Sequence, residues 1–322
     1  MRLPPNLLDS PYFVFLSEDE VIAALRGSLD ENGEEEAEIN RLASIRLPPI
    51  TSIESLSVMI GINPGFVWSM IKRPGKHYSS FEIPKGRTVR QIVAPKVGLK
   101  IIQTWIARHL QNVVDFPPHV FGFVPGRSHI DAAAKHCPAR WVHSFDIENF
   151  FPTTPSDKVV TALKSLGYSE ISTELITPLL CYQGFLAQGA PSSPVISNLV
   201  FSQLDRELEQ IAYDYKIILT RYADDIVFSG KDKPPKDLEK RVRKLFDGTC
   251  WSLANDKIEF FEQPQRLKVH GLLVDGAKPR LTKGYRNKIR AYKHILNTKR
   301  ISDEDKNRLV GHLQYSSHVE KR

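Results

Sequence analysis

The sequence predicts an α/β or α+β protein in which helices cover one side of a central sheet. Three observations support this class. Strand-like and helix-like segments alternate along the 322 residues, 41% of the residues are hydrophobic and 25% are charged, and neither an internal repeat nor a long low-complexity segment is present. A chain of this length and composition can bury a substantial core, in one large domain or in two to three smaller ones.

The first regular segments are helices and a hairpin. Thr51 and Glu54 have the spacing of a capping box ahead of an apolar helical pattern. A second short helix over 62–71 follows an Asn-Pro break. Two strand-like runs around a Lys-Gly turn predict a hairpin over 78–96, and the amphipathic pattern of 99–114 predicts a longer helix.

The central part of the chain continues this alternation. A strand-like run over 140–151 ends at a proline, and the next helix has Ser156 as its expected N-cap. A long helix over 190–215 follows a Pro-Ser-Ser-Pro entry. The remaining expected elements are a strand–turn–strand unit, a helix and a single strand, over 215–230, 234–248 and 266–275.

Charge is distributed unevenly along the chain. Residues 1–38 hold ten acids and two bases, a net charge of −8. Because the whole chain has a net charge of +7, the remaining residues carry +15. We expect the acidic run at 30–38 to be a solvated linker. The basic remainder indicates a polyanionic partner.

The most basic stretch, 278–300, contains nine Lys or Arg residues and no acid. Within it, Ile289, Tyr292 and Leu296 recur at helical spacing. An ordinary solvated helix would explain that spacing, but the absence of acids favours contact with phosphates. The exposed cations on such a helix would be Arg286, Arg290 and Lys293.

Several classes of protein are disfavoured. The three cysteines show neither a CxxC pair nor zinc-ligand spacing, which argues against a disulfide framework and a structural zinc and fits a reducing compartment. The N-terminal residues lack the apolar core of a signal peptide, and no stretch approaches the roughly 18 apolar residues of a membrane helix. We therefore expect a cytoplasmic protein with no membrane partner.

Two adjacent acids, Asp224 and Asp225, stand between apolar runs in TRYADDIVFSG. A hairpin tip would explain them, because acids favour turns. A third acid, Asp146, ends another strand-like run, and pairing of the two strands would place all three together. Such a cluster repels itself unless hard cations bind, and two Mg²⁺ ions held by carboxylates can catalyse displacement at phosphorus. The pattern therefore indicates nucleotidyl transfer.

Four segments, FDIENFFPT, QGAPSSPVISNLVF, TRYADDIVF and VHGLLV, occur in this order. They resemble the motif series of reverse transcriptases, from about residue 75 onwards, and the chain is most similar to the bacterial retron type. The resemblance implies an α+β right-hand polymerase with fingers, palm and a short helical thumb. Its expected divisions are an N-terminal acidic extension, fingers and palm, the end of the palm and a basic helical thumb, at 1–50, 51–250, 251–275 and 276–322.

The resemblance also implies residue roles. Asp146, Asp224 and Asp225 match the catalytic ligands of two Mg²⁺ ions, with the Ile147 carbonyl as a further ligand and Lys257 as a proton donor to pyrophosphate. The residues that match the dNTP site, including an aromatic gate at position 151, are Arg90, Ile147, Phe151, Gln188 and Gly189. Those that match primer or template contacts are Tyr222, Arg286, Arg290 and Lys293.

Similarity to retron enzymes implies partners as well. These are a cognate noncoding RNA and its RNA–DNA hybrid, dNTPs, an effector protein and a host RNase H. A retron enzyme primes from a 2′-OH of its RNA, makes multicopy single-stranded DNA (msDNA), and acts in antiphage defence.

Two boxes depart from the retron pattern. Ala132 stands where the Asn of an Asn-Ala-x-x-His box is usual, and His270 stands where Val-Thr-Gly has Thr. We expect His136 and His270 to be structural. Two other functions remain open: another bacterial reverse transcriptase, from a defence system or related to group II introns, and an RNA-binding scaffold with a vestigial site. The absence of a maturase or endonuclease segment argues against the intron version, and the intact acids argue against the scaffold.

Overall fold

A computed structural model describes residues 9–30, 32–86, 88–298 and 302–321. The chain divides into two compact units. The first consists of Met1–Phe116 and Asn149–Gln203, and the second of Pro117–Glu148 and Leu204–Arg322.

Helices and strands alternate through the described residues, as the sequence predicts. The α-helices are α1 (Glu18–Ala24), α2 (Glu34–Ser44), α3 (Ile53–Ile60), α4 (Pro64–Lys72), α5 (Val97–Val113), α6 (His129–Lys135), α7 (Ser156–Leu166), α8 (Glu170–Leu180), α9 (Ser193–Tyr215), α10 (Leu238–Phe246), α11 (Lys283–Thr298) and α12 (Asp303–Lys321). Short 3-10 helices lie at Pro74–Lys76 and Asn255–Lys257. None of the helices in these described parts has the length and apolar character needed to cross a bilayer.

The strands are short apart from those of one hairpin. They are β1 (Tyr78–Lys85), β2 (Thr88–Pro95), β3 (Trp141–Asp146), β4 (Cys181–Tyr182), β5 (Phe185–Leu186), β6 (Ile218–Tyr222), β7 (Asp225–Gly230), β8 (Glu259–Glu262), β9 (Lys268–Val269), β10 (Leu272–Leu273) and β11 (Arg280–Leu281).

The first unit corrects three local predictions. The acidic run is not a linker throughout, because Glu34 begins α2, whose first turn carries three glutamates. Acids are favourable there, next to the unpaired N–H groups of a helix N-terminus. The capping box of α3 is formed by Ser52 with Ser55 rather than by Thr51. Helix α7 begins at Ser156, so Pro155 is its N-cap residue.

A four-stranded antiparallel sheet lies at the centre of the second unit, in the order β6-β7-β3-β8. One face contacts α9 and α10, where Arg221 pairs with Asp205 and His143 lies 3.5 Å from Glu239. Part of the other face contacts the end of α6 through His136. Helices therefore contact both faces, whereas the sequence predicted cover on one side.

The segment predicted as a single strand over 266–275 is instead a tight hairpin. Strands β9 and β10 pair with Val269 opposite Leu272, and His270 and Gly271 form the connection with positive φ angles of 48° and 81°. Strand β11 adds to the other edge of β10. The three strands pack in one hydrophobic cluster with residues of α6, β3, β7 and α12.

The basic C-terminal helix forms as predicted. Helix α11 buries Ile289, and Tyr292 and Leu296 on the same side are partly buried. Arg286 and Arg290 are exposed. Helix α12, which the sequence reading did not separate from this region, packs against α11.

Candidate active site

Two of the three predicted acids are direct neighbours across the central sheet. Strands β3 and β7 are antiparallel, and their register places Asp146 opposite Asp225. Paired residues of antiparallel strands have Cα atoms about 4.5–5.5 Å apart and side chains on the same face. Asp224 precedes β7 in the turn, and its carbonyl accepts a hydrogen bond from the N–H of Ile147 at 2.9 Å. The fold therefore brings together three acids that are distant in sequence.

The turn that carries the acids has a tight fit to a second segment. Ala223 has a positive φ of 58°, and Gly122 lies directly against its backbone. A Cβ on Gly122 would be 2.1 Å from the Ala223 nitrogen, so only glycine fits. The N–H of Phe121 donates to the carbonyl of Arg221 at 2.8 Å. These contacts hold the segment of Phe121 and Gly122 against the end of β6 and the turn that follows it.

The acidic end is electrostatically incomplete. Burial raises the pKa of Asp224, and the charges of Asp146 and Asp225 raise it further. The ammonium of Lys257 donates to Asp146 Oδ1 at 2.5 Å, and this hydrogen bond raises the pKa of the lysine. Among the described residues, Lys257 is the lysine that pairs with this cluster of three carboxylates.

The acids do not form a closed metal cage. Among the described residues, no three His, Cys, Asp or Glu side chains converge closely enough to hold an ion by themselves. Magnesium in polymerase sites is bound by one or two carboxylates together with substrate phosphates and waters, so a closed cage is not required. The hard oxygen donors of Asp146, Asp224 and Asp225 fit such an open site.

Two aromatic side chains border the acids. His270, in the β9–β10 turn, places Nδ1 3.1 Å from Asp225 Oδ2. Its ring centroid lies 5.2 Å from that of Tyr222. Tyr222, predicted to lie near the primer, therefore packs beside the acid pair. The sequence analysis did not place His270 beside the acids, and the available signal was its His-Gly turn between two short apolar runs.

A buried ion pair supports the same turn from the opposite face of the sheet. Arg221 and Asp205 are both fully buried, and the guanidinium binds the carboxylate through two hydrogen bonds of 2.6 and 2.5 Å. Arg221 Nη1 also donates to the carbonyl of Ala223 at 3.0 Å. The sequence analysis did not single out either member of the pair.

Of the residues predicted to bind the nucleotide, Ile147 belongs to the second unit and the other four lie in the first. Arg90 is partly exposed on β2, opposite Ile83. Gln188 accepts a hydrogen bond from Val93 at 2.9 Å. Gly189 has φ of 135°, and a Cβ there would lie 2.9 Å from a methyl group of Ile92, so glycine is needed.

The predicted aromatic gate also belongs to the first unit. Phe151 is partly exposed, and its ring centroid lies 5.7 Å from that of Phe150. Phe150 is buried and packs against Phe201, as expected for a core residue. The role of Phe151 as a gate stays a prediction.

Comparison with known proteins identifies the family. A family model described as reverse transcriptase (RNA-dependent DNA polymerase) matches residues 83–274. The chain is 29% identical over 260 residues to the retron Ec86 reverse transcriptase of Escherichia coli, which covers 79% of this chain and 81% of that protein. It is 30% identical over 257 residues to the retron Se72 reverse transcriptase of Salmonella heidelberg, covering 77% and 68% respectively. The chain belongs to the retron reverse transcriptases.

This retron reverse transcriptase is an RNA-directed DNA polymerase, which works on an RNA template and depends on a divalent metal. Family membership confirms the resemblance in the sequence and favours the retron type over a group II intron relative. Among solved structures, telomerase from Candida albicans with a fragment of telomeric RNA aligns with a TM-score of 0.45 and 12% identity, over 69% of this chain and 50% of that one.

The two retron-box histidines have different environments. His136 is buried, and its ring nitrogens lie 2.6 Å from Ser229 Oγ and 2.7 Å from Thr220 Oγ1. Burial lowers its pKa to about 3, with a smaller contribution from His270. The structural role expected for His136 is thus confirmed. His270 lies instead beside the acid pair.

Proposed function

We propose that this retron reverse transcriptase copies a cognate noncoding RNA into msDNA by nucleotidyl transfer with two Mg²⁺ ions and dNTPs. One observation carries the chemistry: Asp146 lies opposite Asp225, and the adjacent Asp224 is partly buried among like charges. Such an arrangement favours cation binding because the carboxylates are otherwise uncompensated.

Metal binding is assigned to the carboxylates of Asp146, Asp224 and Asp225 and to the carbonyl of Ile147. A bound pair of divalent ions supplies activation of the primer hydroxyl and neutralisation of charge on the leaving pyrophosphate. Lys257 holds Asp146 in the present structure, and the raised pKa of its ammonium keeps it protonated. A protonated lysine beside the acids suits the role of proton donor to pyrophosphate.

The first unit supplies the proposed dNTP contacts. The guanidinium of Arg90 suits bidentate binding of a triphosphate. Gln188 and Gly189 provide a closely packed backbone segment that we assign to the incoming nucleotide. The ring of Phe151 would exclude a ribose 2′-OH by steric clash, and so select dNTPs over NTPs.

Membership of the retron family supports the finer part of this proposal. Retron enzymes prime from a 2′-OH of their own RNA, and we propose the same for this chain. We further propose that a host RNase H removes RNA from the hybrid, and that the msDNA complex acts with an effector protein in antiphage defence. Arg286, Arg290 and Lys293 on α11, all exposed, would contact the phosphates of the RNA–DNA hybrid.

The first experiment measures Mg²⁺-dependent incorporation of dNTPs, and separately of NTPs, on poly(rA)·oligo(dT). The wild type should incorporate dTTP and not UTP, and the Asp224→Ala/Asp225→Ala double variant should be inactive. Equal inactivity of wild type and double variant would favour the alternative of a vestigial RNA-binding scaffold.

The second experiment sequences the nucleic acid that co-purifies with the protein from its own host. A single RNA species joined to DNA by a 2′–5′ branch is expected, and debranching enzyme should release the DNA. A linear DNA without a branch would contradict priming at a 2′-OH and leave the polymerase activity itself unaffected.

A further inference from the structure

We propose that His270 is a positioning residue for nucleotide addition: it orients the carboxylate of Asp225 and the ring of Tyr222 from the β9–β10 turn. The proposal rests on the proposed function, because it takes Asp225 to be a metal ligand. It assigns a task to a residue that departs from the usual Thr of the retron Val-Thr-Gly box.

The geometry connects His270 to both side chains at once. Its Nδ1 lies 3.1 Å from Asp225 Oδ2, within ion-pair distance, and its ring tilts against Tyr222 at a centroid separation of 5.2 Å. The imidazole is 8% exposed, whereas the Asp225 carboxylate is 37% exposed. A nearly buried ring thus contacts a more exposed carboxylate, and the contact limits the orientations available to that carboxylate.

A purely stabilising role does not account for this histidine. It has a positive φ of 48°, a conformation that non-glycine residues rarely adopt. Its Nε2 is buried and has no hydrogen-bond partner among the described residues. Both features cost stability. Strained and unsatisfied groups of this kind concentrate at functional sites.

His136 shows what a stabilising histidine looks like in the same unit. Both of its ring nitrogens have hydroxyl partners, at 2.6 and 2.7 Å, and it lies among the sheet residues Ser229 and Thr220. Among the described residues, the ion-pair partner of His270 is Asp225, a carboxylate of the candidate site. The contrast points to a contact kept for Asp225.

The chemistry of the contact predicts where its loss would be felt. An N–H at Nδ1 of the imidazole would point towards Asp225 Oδ2, and an outer hydrogen-bond partner fixes the direction in which a carboxylate offers its oxygens to a metal. Loss of the ring should therefore weaken metal binding and lower kcat. The affinity for the incoming nucleotide should change little, because the side chains predicted to contact it, those of Arg90 and Phe151, lie in the first unit.

The test compares His270→Gly with His270→Asn. Glycine removes the ring and accepts a positive φ without strain, whereas asparagine also tolerates that φ and keeps an N–H donor near the position of Nδ1. Single-nucleotide kinetics on poly(rA)·oligo(dT) give kcat and KM for dTTP. Titration of Mn²⁺ followed by electron paramagnetic resonance, without nucleotide, gives metal affinity independently of turnover.

We expect His270→Gly to reduce kcat and Mn²⁺ affinity by roughly tenfold or more, with KM for dTTP within about twofold of wild type. His270→Asn should recover most of both losses. His318→Ala, which removes an exposed histidine of α12, should match wild type in every measurement. Melting temperatures of all variants separate these effects from unfolding.

Wild-type kcat and Mn²⁺ affinity in His270→Gly would overturn the proposal, as would equal impairment of the Asn and Gly variants at an unchanged melting temperature. Failure of the proposed function gives a different result. In that case the Asp224→Ala/Asp225→Ala double variant would bind Mn²⁺ and polymerise as well as wild type, whatever the His270 variants do.

Discussion

Two aspartates of the second unit, the fully buried Asp205 and the partly buried Asp224, have opposite electrostatic surroundings. Burial alone would raise the pKa of Asp205, but the charge of Arg221 and its hydrogen bonds outweigh burial and hold that pKa below the usual value. Burial also raises the pKa of Asp224, and there Asp146 and Asp225 add to the rise. Asp205, on one face of the sheet, is thus neutralised by Arg221, whereas Asp224, at the end of the sheet, lies among like charges.

The difference separates a carboxylate that stabilises the fold from one to which we assign the proposed chemistry. The Asp205–Arg221 pair is complete within the chain and supports the turn through Ala223. In the part of the chain that the structure describes, the acidic end has one lysine for three carboxylates, a balance that favours binding of external cations. Substitution of Asp205 should therefore destabilise the fold, and substitution of Asp224 should abolish activity.

The largest expected effect is that of Asp224→Asn. Polymerase activity should fall on the order of a thousandfold or more, because a charge that stabilises the transition state through metal is lost. The melting temperature should stay the same or rise, since the change relieves repulsion from Asp146 and Asp225. Primer extension and differential scanning calorimetry measure the two quantities.

Asp232→Asn provides the matched control, because Asp232 is an exposed acid just beyond the opposite end of β7. It should retain full activity. Substantial activity in Asp224→Asn, or a fall in its melting temperature comparable to that of a core substitution, would remove the distinction between the two carboxylates.

The sequence predicts one side of this comparison better than the other. Asp146 and Asp225 each adjoin a strand-like run, so pairing of the runs places them together, and the register confirms it. Asp205 was missed because an acid within a helical pattern is usually solvent-facing. Its partner, Arg221, lies in a strand on the opposite face from Thr220 and Tyr222. Arg221 is buried because α9 packs against its face of the sheet. Such tertiary pairing leaves no local signal.

Local caps and turns were also only partly predictable. Ser52 and Thr51 are adjacent and have similar propensities for the N-cap position. Ser52 is the N-cap of α3, whereas the hydroxyl of Thr51 donates to Glu35 of α2. The β9–β10 hairpin was read as one strand because its runs are only two residues long. A His-Gly pair with two positive φ angles fits the primed turns of hairpins, and it was the available signal.

The second prediction concerns stability. Asp205→Asn leaves Arg221 buried without a counter-charge, and loss of one partner of a buried ion pair costs about 3–5 kcal/mol of unfolding free energy. Asp214→Asn is the control, because Asp214 pairs with Arg241 at 2.7 Å with both side chains 37% exposed. That exposed pair should contribute about 0–1 kcal/mol. Urea unfolding gives both values, and equal costs would contradict the assignment of Asp205 to the fold.

The third prediction uses pH to test the interior part of the sheet. The folded-state pKa of His136 is about 3, below the unfolded value of about 6.5, so the unfolded chain binds the extra proton. The stability due to neutral His136 is therefore complete above pH 6.5 and is lost as pH falls towards 3. This contribution should decrease by about 2 kcal/mol between pH 6.5 and 5.

His136→Gln removes the titrating group, so the wild type and the variant should differ in the slope of unfolding free energy against pH over this window. Other histidines with lowered pKa, such as His143, contribute equally to both proteins. Parallel slopes for the two proteins, measured by urea unfolding at each pH, would show that His136 is not held neutral by the fold.

The smallest expected effects are those of substitutions in α11. This helix presents a group of exposed positive charges, as the acidic end of the sheet presents a group of negative charges. Arg286, Arg290 and Lys293 are exposed, so single substitutions to Ala should leave the free energy of unfolding within about 0.5 kcal/mol of the wild-type value. If each cation contacts one phosphate, each substitution should reduce the slope of log K against log salt for an RNA–DNA hybrid by about 1. Fluorescence anisotropy across a salt series measures that slope. An unchanged slope in the triple variant would mean that these cations face solvent alone, and that the nucleic acid is held by other residues of the chain.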